Sequence, residues 1–259
     1  MPLTQYRIDR NGADRLLFLM HGYTAEQHHL ASYVPLVDPD ERFTAIAPRG
    51  PIDMPDGDGA GWWTIDVQTF EHDWSRFVPS LEMLEDFIAN EADKAGVPLE
   101  RCVVGGFSQG GFLSLALAGK AGAPRYAGVW AICCSLPGAP DFEFDLSDGD
   151  GRPALFQWGT NDPVIGPDAP AEVISTLQAG GWNLDHHAYE MAHSQTIEMM
   201  IDARAWFTFL NYAGGRCADF GRNASTCSGS VVKYGPPIRS TQYGTAAITA
   251  SRHSAIALG

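Results

Sequence analysis

Three residues, met in the order Ser108, Asp162 and His193, have the types and neighbours that nucleophilic acyl chemistry needs. Ser108 is the centre of Gly106-Phe107-Ser108-Gln109-Gly110, with the apolar run Cys102–Val104 before it and an alanine-rich apolar segment after it. A serine between a strand and a helix, in the pattern G-x-S-x-G, marks a sharp turn that lifts a hydroxyl clear of a sheet. Gly106 and Gly110 are expected because a Cβ at either position would collide inside the turn. A serine hydroxyl is a weak nucleophile at neutral pH and requires a neighbouring base. Among eight histidines, His193 is the best placed, since it follows the last expected strand and comes after both serine and carboxylate. Asp162 directly follows another strand and precedes the turn-setting Pro163; it would hold the imidazole and fix its tautomer. Asp168, six residues later, is the rival carboxylate. Acyl transfer also needs donors for the developing oxyanion. The expected ones are the backbone N–H of Gln109, just past the nucleophile, and that of Tyr23 in the His21-Gly22-Tyr23 turn. No role is assigned to the Gln109 side chain.

These residues need elements to carry them. Tyr6–Asp9 alternates like a strand, Asn11-Gly12 is a hairpin signal, and Arg15–Met20 is the next strand, running straight into His21. Thr44–Ala47 is a short buried-type strand closed by Pro48. The segment Arg49–Phe70 is a long loop rich in Gly, Pro and Asp. Trp62 and Trp63 in its middle are expected either to wall a substrate pocket or to anchor the loop, and Asp66 is paired with Arg49. Phe77, Leu81, Leu84, Phe87 and Ile88 recur at helical spacing and stop before Gly96-Val97-Pro98. Then follow a strand at Cys102–Val104, a helix over about 109–121, a strand over 127–134, and an acidic loop over 135–151. A strand at Ala154–Trp158, a helix over about 169–179, and a strand at Asn183–Tyr189 come next. The pattern predicts a final helix opened by Met191-Ala192-His193 and running to about Tyr212. Strands alternating with helices of this length imply an α/β fold, a mostly parallel sheet with helices on both faces. Sites in such sheets lie at the carboxyl ends of strands, and every candidate residue falls at one.

Bulk properties narrow the field. A 259-residue chain with 45% apolar residues can form one sizeable domain, and no apolar run approaches the roughly 20 residues needed to span a bilayer. Met1–Asp14 is polar with no signal-like apolar region, so a cytoplasmic protein without stable membrane insertion is expected. The net charge of −14 disfavours nucleic acid as a partner. Five cysteines without a C-x-x-C pair support no metal site and no redox motif. The catalytic domain is assigned to residues 1–213. Residues 214–259 carry five basic residues against one acid, a net +4 that leaves −18 on the rest. Poor in apolar residues, this tail reads as a disordered basic extension, with an arm on the acidic body or a non-native extension as alternatives. Cys217 and Cys227 within it would pair only in an oxidising compartment.

The motifs Met20-His21-Gly22-Tyr23, Ala47-Pro48-Arg49-Gly50-Pro51, Trp62-Trp63-Thr64-Ile65-Asp66, Gly105–Gly111, Gly159-Thr160-Asn161-Asp162-Pro163-Val164 and Ala192-His193-Ser194 occur in this order. Together they resemble the phospholipase/carboxylesterase family of α/β-hydrolases, which includes acyl-protein thioesterases and small bacterial carboxylesterases. The resemblance spans about residues 15–210. It implies an α/β-hydrolase fold with little or no lid, a Ser108-His193-Asp162 triad, Tyr23 and Gln109 as oxyanion donors, no cofactor, and small ester or thioester substrates. Ala192 departs from the glycine usual before the histidine, and the Tyr23–Gln27 loop departs from the family pattern. The expected function is a serine carboxylesterase, with an acyl-thioesterase or lysophospholipase as the alternative on the same machinery. A non-catalytic binding module is a further reading, which covalent labelling of Ser108 would exclude. A dinucleotide-binding enzyme is disfavoured because the glycine-rich stretch lacks G-x-G-x-x-G spacing. Oligomeric state is not assigned.

Overall fold

The computed structural model describes residues 3–55, 57 and 59–213. The tail 214–259, with Cys217 and Cys227, lies outside the described residues. Seven strands make the central sheet: β1 (Gln5–Ile8), β2 (Arg15–Met20), β3 (Phe43–Pro48), β4 (Cys102–Phe107), β5 (Gly128–Ile132), β6 (Pro153–Gly159) and β7 (Asn183–Tyr189). Their order is β1-β3-β2-β4-β5-β6-β7; β1 is antiparallel to β3 and the remaining pairs are parallel. Among the described residues six α-helices accompany them: α1 (His28–Ala31), α2 (Val34–Val37), α3 (Phe77–Ala95), α4 (Gln109–Gly119), α5 (Ala169–Ala179) and α6 (Ile197–Ala213).

The alternation of side chains along a strand divides the core in two. Leu16, Phe18 and Met20 of β2 pack with residues of α3, α4 and α5, such as Leu84, Leu113 and Val173. Leu17 and Leu19 face the other way, toward Val34 of α2 and Met199, Ala203 and Phe207 of α6. Because both faces are covered, β2 is buried along its whole length and reads as an unbroken apolar run, as parallel strands do. Among the described residues no helix is long and apolar enough to cross a membrane.

Three sequence expectations change. Asn11-Gly12 does turn the chain, but β1 does not pair with β2: both edges of β2 are taken by β3 and β4, so β1 pairs beyond them, from Gln5 opposite Pro48 to Ile8 opposite Ala45. The final helix starts at Ile197, leaving His193 in the loop before it. The 49–70 segment is not a plain loop. It carries one small antiparallel ribbon, Ile52–Asp53 with Ala60–Gly61, and the first strand of a second, Thr64–Ile65, which pairs with His72–Asp73 just beyond it.

Candidate active site

The carboxyl end of β4 bends sharply at Ser108, whose φ of 55° and ψ of −118° are costly for a residue with a side chain. Two glycines make the bend feasible. A Cβ on Gly106 would lie 2.3 Å from the Gly110 carbonyl carbon, and one on Gly110 would lie 2.0 Å from the Met20 carbonyl oxygen. The first contact closes the turn on itself, and the second presses α4 against the end of β2. Ser108 N–H donates to the Ile132 carbonyl on β5 at 2.9 Å, and its own carbonyl accepts from Phe112 N–H at 3.1 Å. The backbone is held at both ends, so the strain does not relax.

The structure brings Ser108, His193 and Asp162 together. His193 Nε2 lies 2.9 Å from Ser108 Oγ, and His193 Nδ1 lies 2.7 Å from Asp162 Oδ2. With the carboxylate as acceptor, Nδ1 carries the proton and Nε2 presents its lone pair to the serine hydroxyl. Asp162 Oδ1 accepts from the N–H groups of Val164 at 2.8 Å and Ile165 at 3.0 Å. Burial pushes this carboxyl's pKa up, but the bonds from His193, Ile165 and Val164 outweigh it and hold the pKa below the usual carboxylate value. The loop bearing His193 is tied to the loop bearing Asp162: Asn161 N–H donates to the Met191 carbonyl at 3.1 Å. The Phe107 and His193 rings lie 4.8 Å apart, so Phe107 packs against the imidazole. Asp168 is exposed at the start of α5 and makes no side-chain cap there.

His21 is a structural residue here. It is buried, Gly50 N–H donates to its Nε2 at 2.9 Å, and its Nδ1 therefore carries the proton given to the Gly22 carbonyl at 2.8 Å. That carbonyl also accepts from Ala25 N–H at 3.2 Å. In a trans peptide the N–H opposes the C=O, so these bonds turn Tyr23 N–H to the other side. A Cβ on Gly22 would lie 3.3 Å from Ser108 Cβ, which places the turn beside the nucleophile. Neither Tyr23 N–H nor Gln109 N–H has a protein acceptor among the described residues.

Burial pushes the His21 pKa down from 6.5 to about 4. The unfolded chain takes up a proton at His21 as pH falls through about 6.5, whereas the folded chain does so only near 4. Stability therefore falls with pH across that window and the loss levels off below it, by about 3 kcal/mol in all. Urea unfolding at pH 7 and 4.5 should show this slope, and His21→Asn, which keeps one donor and one acceptor, should flatten it. Equal slopes in the two proteins would contradict the account.

Of the two readings open for Trp62 and Trp63, burial favours the loop anchor, and the Gln109 side chain and Asp66 depart from their expected roles. Trp62 and Trp63 are both 0% exposed, so neither presents a face to an open pocket. They anchor the loop: Trp62 Nε1 donates to the His21 carbonyl at 3.0 Å, and Trp63 Nε1 donates to His72 Nδ1 at 2.9 Å. The Gln109 side chain, given no role from sequence, is the staple between this loop and the elbow. Its Oε1 accepts from Trp62 N–H at 2.9 Å and its Nε2 donates to the Trp63 carbonyl at 2.7 Å. A lone amide in an otherwise apolar and glycine-rich helix start was the available signal. Arg49 pairs with Glu26 and Asp53, while Asp66 accepts from Gln68 and Thr69 N–H within its own turn.

A strained serine elbow, a histidine and a buried carboxylate at the carboxyl ends of a mainly parallel sheet define a serine hydrolase of the α/β-hydrolase class. Comparison with known proteins takes the assignment further. The family model described as Phospholipase/Carboxylesterase matches residues 8–212, and the chain belongs to this family. Acyl-protein thioesterase 1 of Candida albicans is 28% identical over 230 residues, covering 78% of this chain and 95% of that one. Acyl-protein thioesterase 1 of Yarrowia lipolytica is 30% identical over 172 residues, 62% of this chain and 73% of that one. Among solved structures, the Bacillus cereus carboxylesterase superposes with a TM-score of 0.68 at 17% identity, covering 80% of this chain and 94% of its own. A carboxylesterase from Mesorhizobium loti does so at 0.61 and 22% identity, covering 75% and 88%. Both have the same fold.

Proposed function

We propose that this protein is a carboxylesterase that works through an acyl-enzyme on Ser108. The observation that carries this reading is the unbroken relay Ser108–His193–Asp162, with bonds of 2.9 and 2.7 Å. His193 Nε2 takes the hydroxyl proton as Ser108 Oγ attacks the ester carbonyl, and Asp162 stabilises the imidazolium that forms. The negative oxygen is bound by the N–H groups of Tyr23 and Gln109, which have no competing protein acceptor among the described residues. His193 then protonates the leaving alcohol, and a water activated by the same nitrogen releases the acid. The reaction calls on no metal or cofactor. The substrate is a small ester or thioester, and a cytoplasmic setting fits a chain whose described helices include none able to cross a membrane.

One observation favours a second reading on the same machinery. The curated relatives above are acyl-protein thioesterases, matched along most of their length in the Candida albicans case. The triad does not distinguish an alkoxide from a thiolate leaving group. Relative kcat/KM on p-nitrophenyl esters of two to sixteen carbons, set beside an acyl-thioester, assigns the substrate class. Covalent labelling by a fluorophosphonate, abolished in Ser108→Ala, is expected for either substrate. Folded protein that fails to label would end both readings.

A further inference from the structure

The Asp162–His193 pair has a third neighbour that the proposed reaction leaves idle. Cys133 directly follows β5, is fully buried, and has a φ of 47°. Its N–H is fixed by donation to the Gln157 carbonyl at 2.8 Å. Its thiol makes only weak backbone contacts among the described residues: it lies 3.6 Å from the carbonyl of Ser194, the residue after His193, and the backbone of Gly159 also reaches the sulfur. The sulfur, a carboxylate oxygen of Asp162 and a ring nitrogen of His193 all lie within 4.8 Å of one another. Ligands on a tetrahedral zinc ion, with bonds of about 2.0–2.3 Å, sit roughly 3.5 Å apart. Shifts of about an ångström would therefore close these three groups on one ion. One thiol, one imidazole and one carboxylate suit zinc or cadmium, not the oxygen-seeking magnesium or calcium.

We infer that Cys133, Asp162 and His193 form an inhibitory site for a thiophilic divalent cation, zinc or cadmium. The nitrogen on the Asp162 side is Nδ1, so the ion binds there. Metal–sulfur, metal–nitrogen and metal–oxygen bonds form, the thiol proton leaves to solvent, and nothing is oxidised or reduced. The single ring proton moves from Nδ1 to Nε2. Nε2 then has no lone pair for the Ser108 hydroxyl, and the base is gone. The ring of His193 is 17% exposed, which gives the ion a route inward, and a fourth position is left for water. Inhibition is reversed when a chelator removes the ion.

The inhibition arm rests on the serine-hydrolase reading; the binding arm does not. In the full chain, saturating zinc chloride is expected to lower ester hydrolysis at least about tenfold, with recovery on adding a chelator. Losing even an outer-shell partner weakens metal affinity about 10–100-fold. Cys133→Ser and Cys133→Ala should therefore raise the half-inhibiting zinc concentration by at least that factor, each ratioed to its own metal-free rate. Independently, one equivalent of cadmium added to Ser108→Ala should produce cadmium–thiolate ultraviolet absorption that is missing when Cys133→Ser is added. His193→Ala, at a less buried position, should weaken that cadmium binding to a similar degree and serves where the Cys133 variants do not fold. Absorption without any esterase activity would leave the site standing and remove the function. Equal zinc sensitivity with and without Cys133, or cadmium absorption unchanged by its loss, overturns the inference.

Discussion

Ser108→Ala and His193→Ala should each lower kcat for ester hydrolysis by roughly 10⁴–10⁶-fold, and the double variant should be no worse than either. The Ser108 hydroxyl bonds to His193 Nε2, so either change removes the same event, proton transfer out of the attacking Oγ. Groups that act as a unit lose their effect together. The loss corresponds to about 5–8 kcal/mol of transition-state stabilisation. KM should change far less than kcat, because the interaction removed is one made in the transition state. Both proteins should fold: the elbow is fixed by backbone bonds from Ser108 to Ile132 and Phe112, which alanine retains. Stopped assays with a chromogenic ester, beside circular dichroism, read both quantities. Single losses of only tenfold that multiply in the double variant would show two independent groups, and the relay would have to be abandoned.

Much of this relay was legible in the residues because a few rigid constraints write themselves into sequence. The elbow needs glycine at 106 and 110, where backbone atoms stand within 2.3 Å of any added Cβ, so the motif and the strain are one fact. The regular strands and long helices were legible for a similar reason. The burial on both faces of β2 demands an apolar run, and α3 shows its period over 19 residues. Other features are set by contacts between distant segments. Helices α1 and α2, four residues each, are too short to show a period. The partner of β1 depends on which strand edges remain free, which no local turn signal encodes. His193 keeps its place in a loop because bonds between the Asp162 and His193 loops hold it, with no helix start involved. The fate of Trp62 and Trp63 was open between pocket wall and anchor, since what decides it is the Gln109 amide 46 or more residues away. Gln109 was read only for its backbone because side-chain bridges across that separation leave no periodic trace.

Asp162→Asn should leave a folded protein with kcat/KM lowered by about 10⁴-fold, and the reason lies in how both carboxylate oxygens are used. Oδ1 accepts from Val164 and Ile165 N–H, while Oδ2 accepts from His193 Nδ1. An asparagine that keeps its oxygen toward the two backbone N–H groups must aim its amide nitrogen at His193. That nitrogen donates, so Nδ1 becomes the acceptor and the ring proton moves to Nε2. Nε2 then points a proton at Ser108 instead of a lone pair, and general-base catalysis stops although every atom is near its former place. The reverse orientation restores the tautomer but leaves two N–H groups facing an NH₂, which costs about 1–3 kcal/mol for each unsatisfied buried donor. The first arrangement is therefore the stable one. Asp168→Asn is the contrast: Asp168 is exposed at the start of α5 without a side-chain cap bond, and its replacement should leave kcat/KM within about twofold. Measuring both variants on one ester, with urea unfolding to confirm that stability is close to that of the parent, separates tautomer control from general acidity around the site. An Asp162→Asn enzyme with near-normal kcat/KM would mean that His193 finds its tautomer without Asp162, and the carboxylate would then be a loop-tying residue alone.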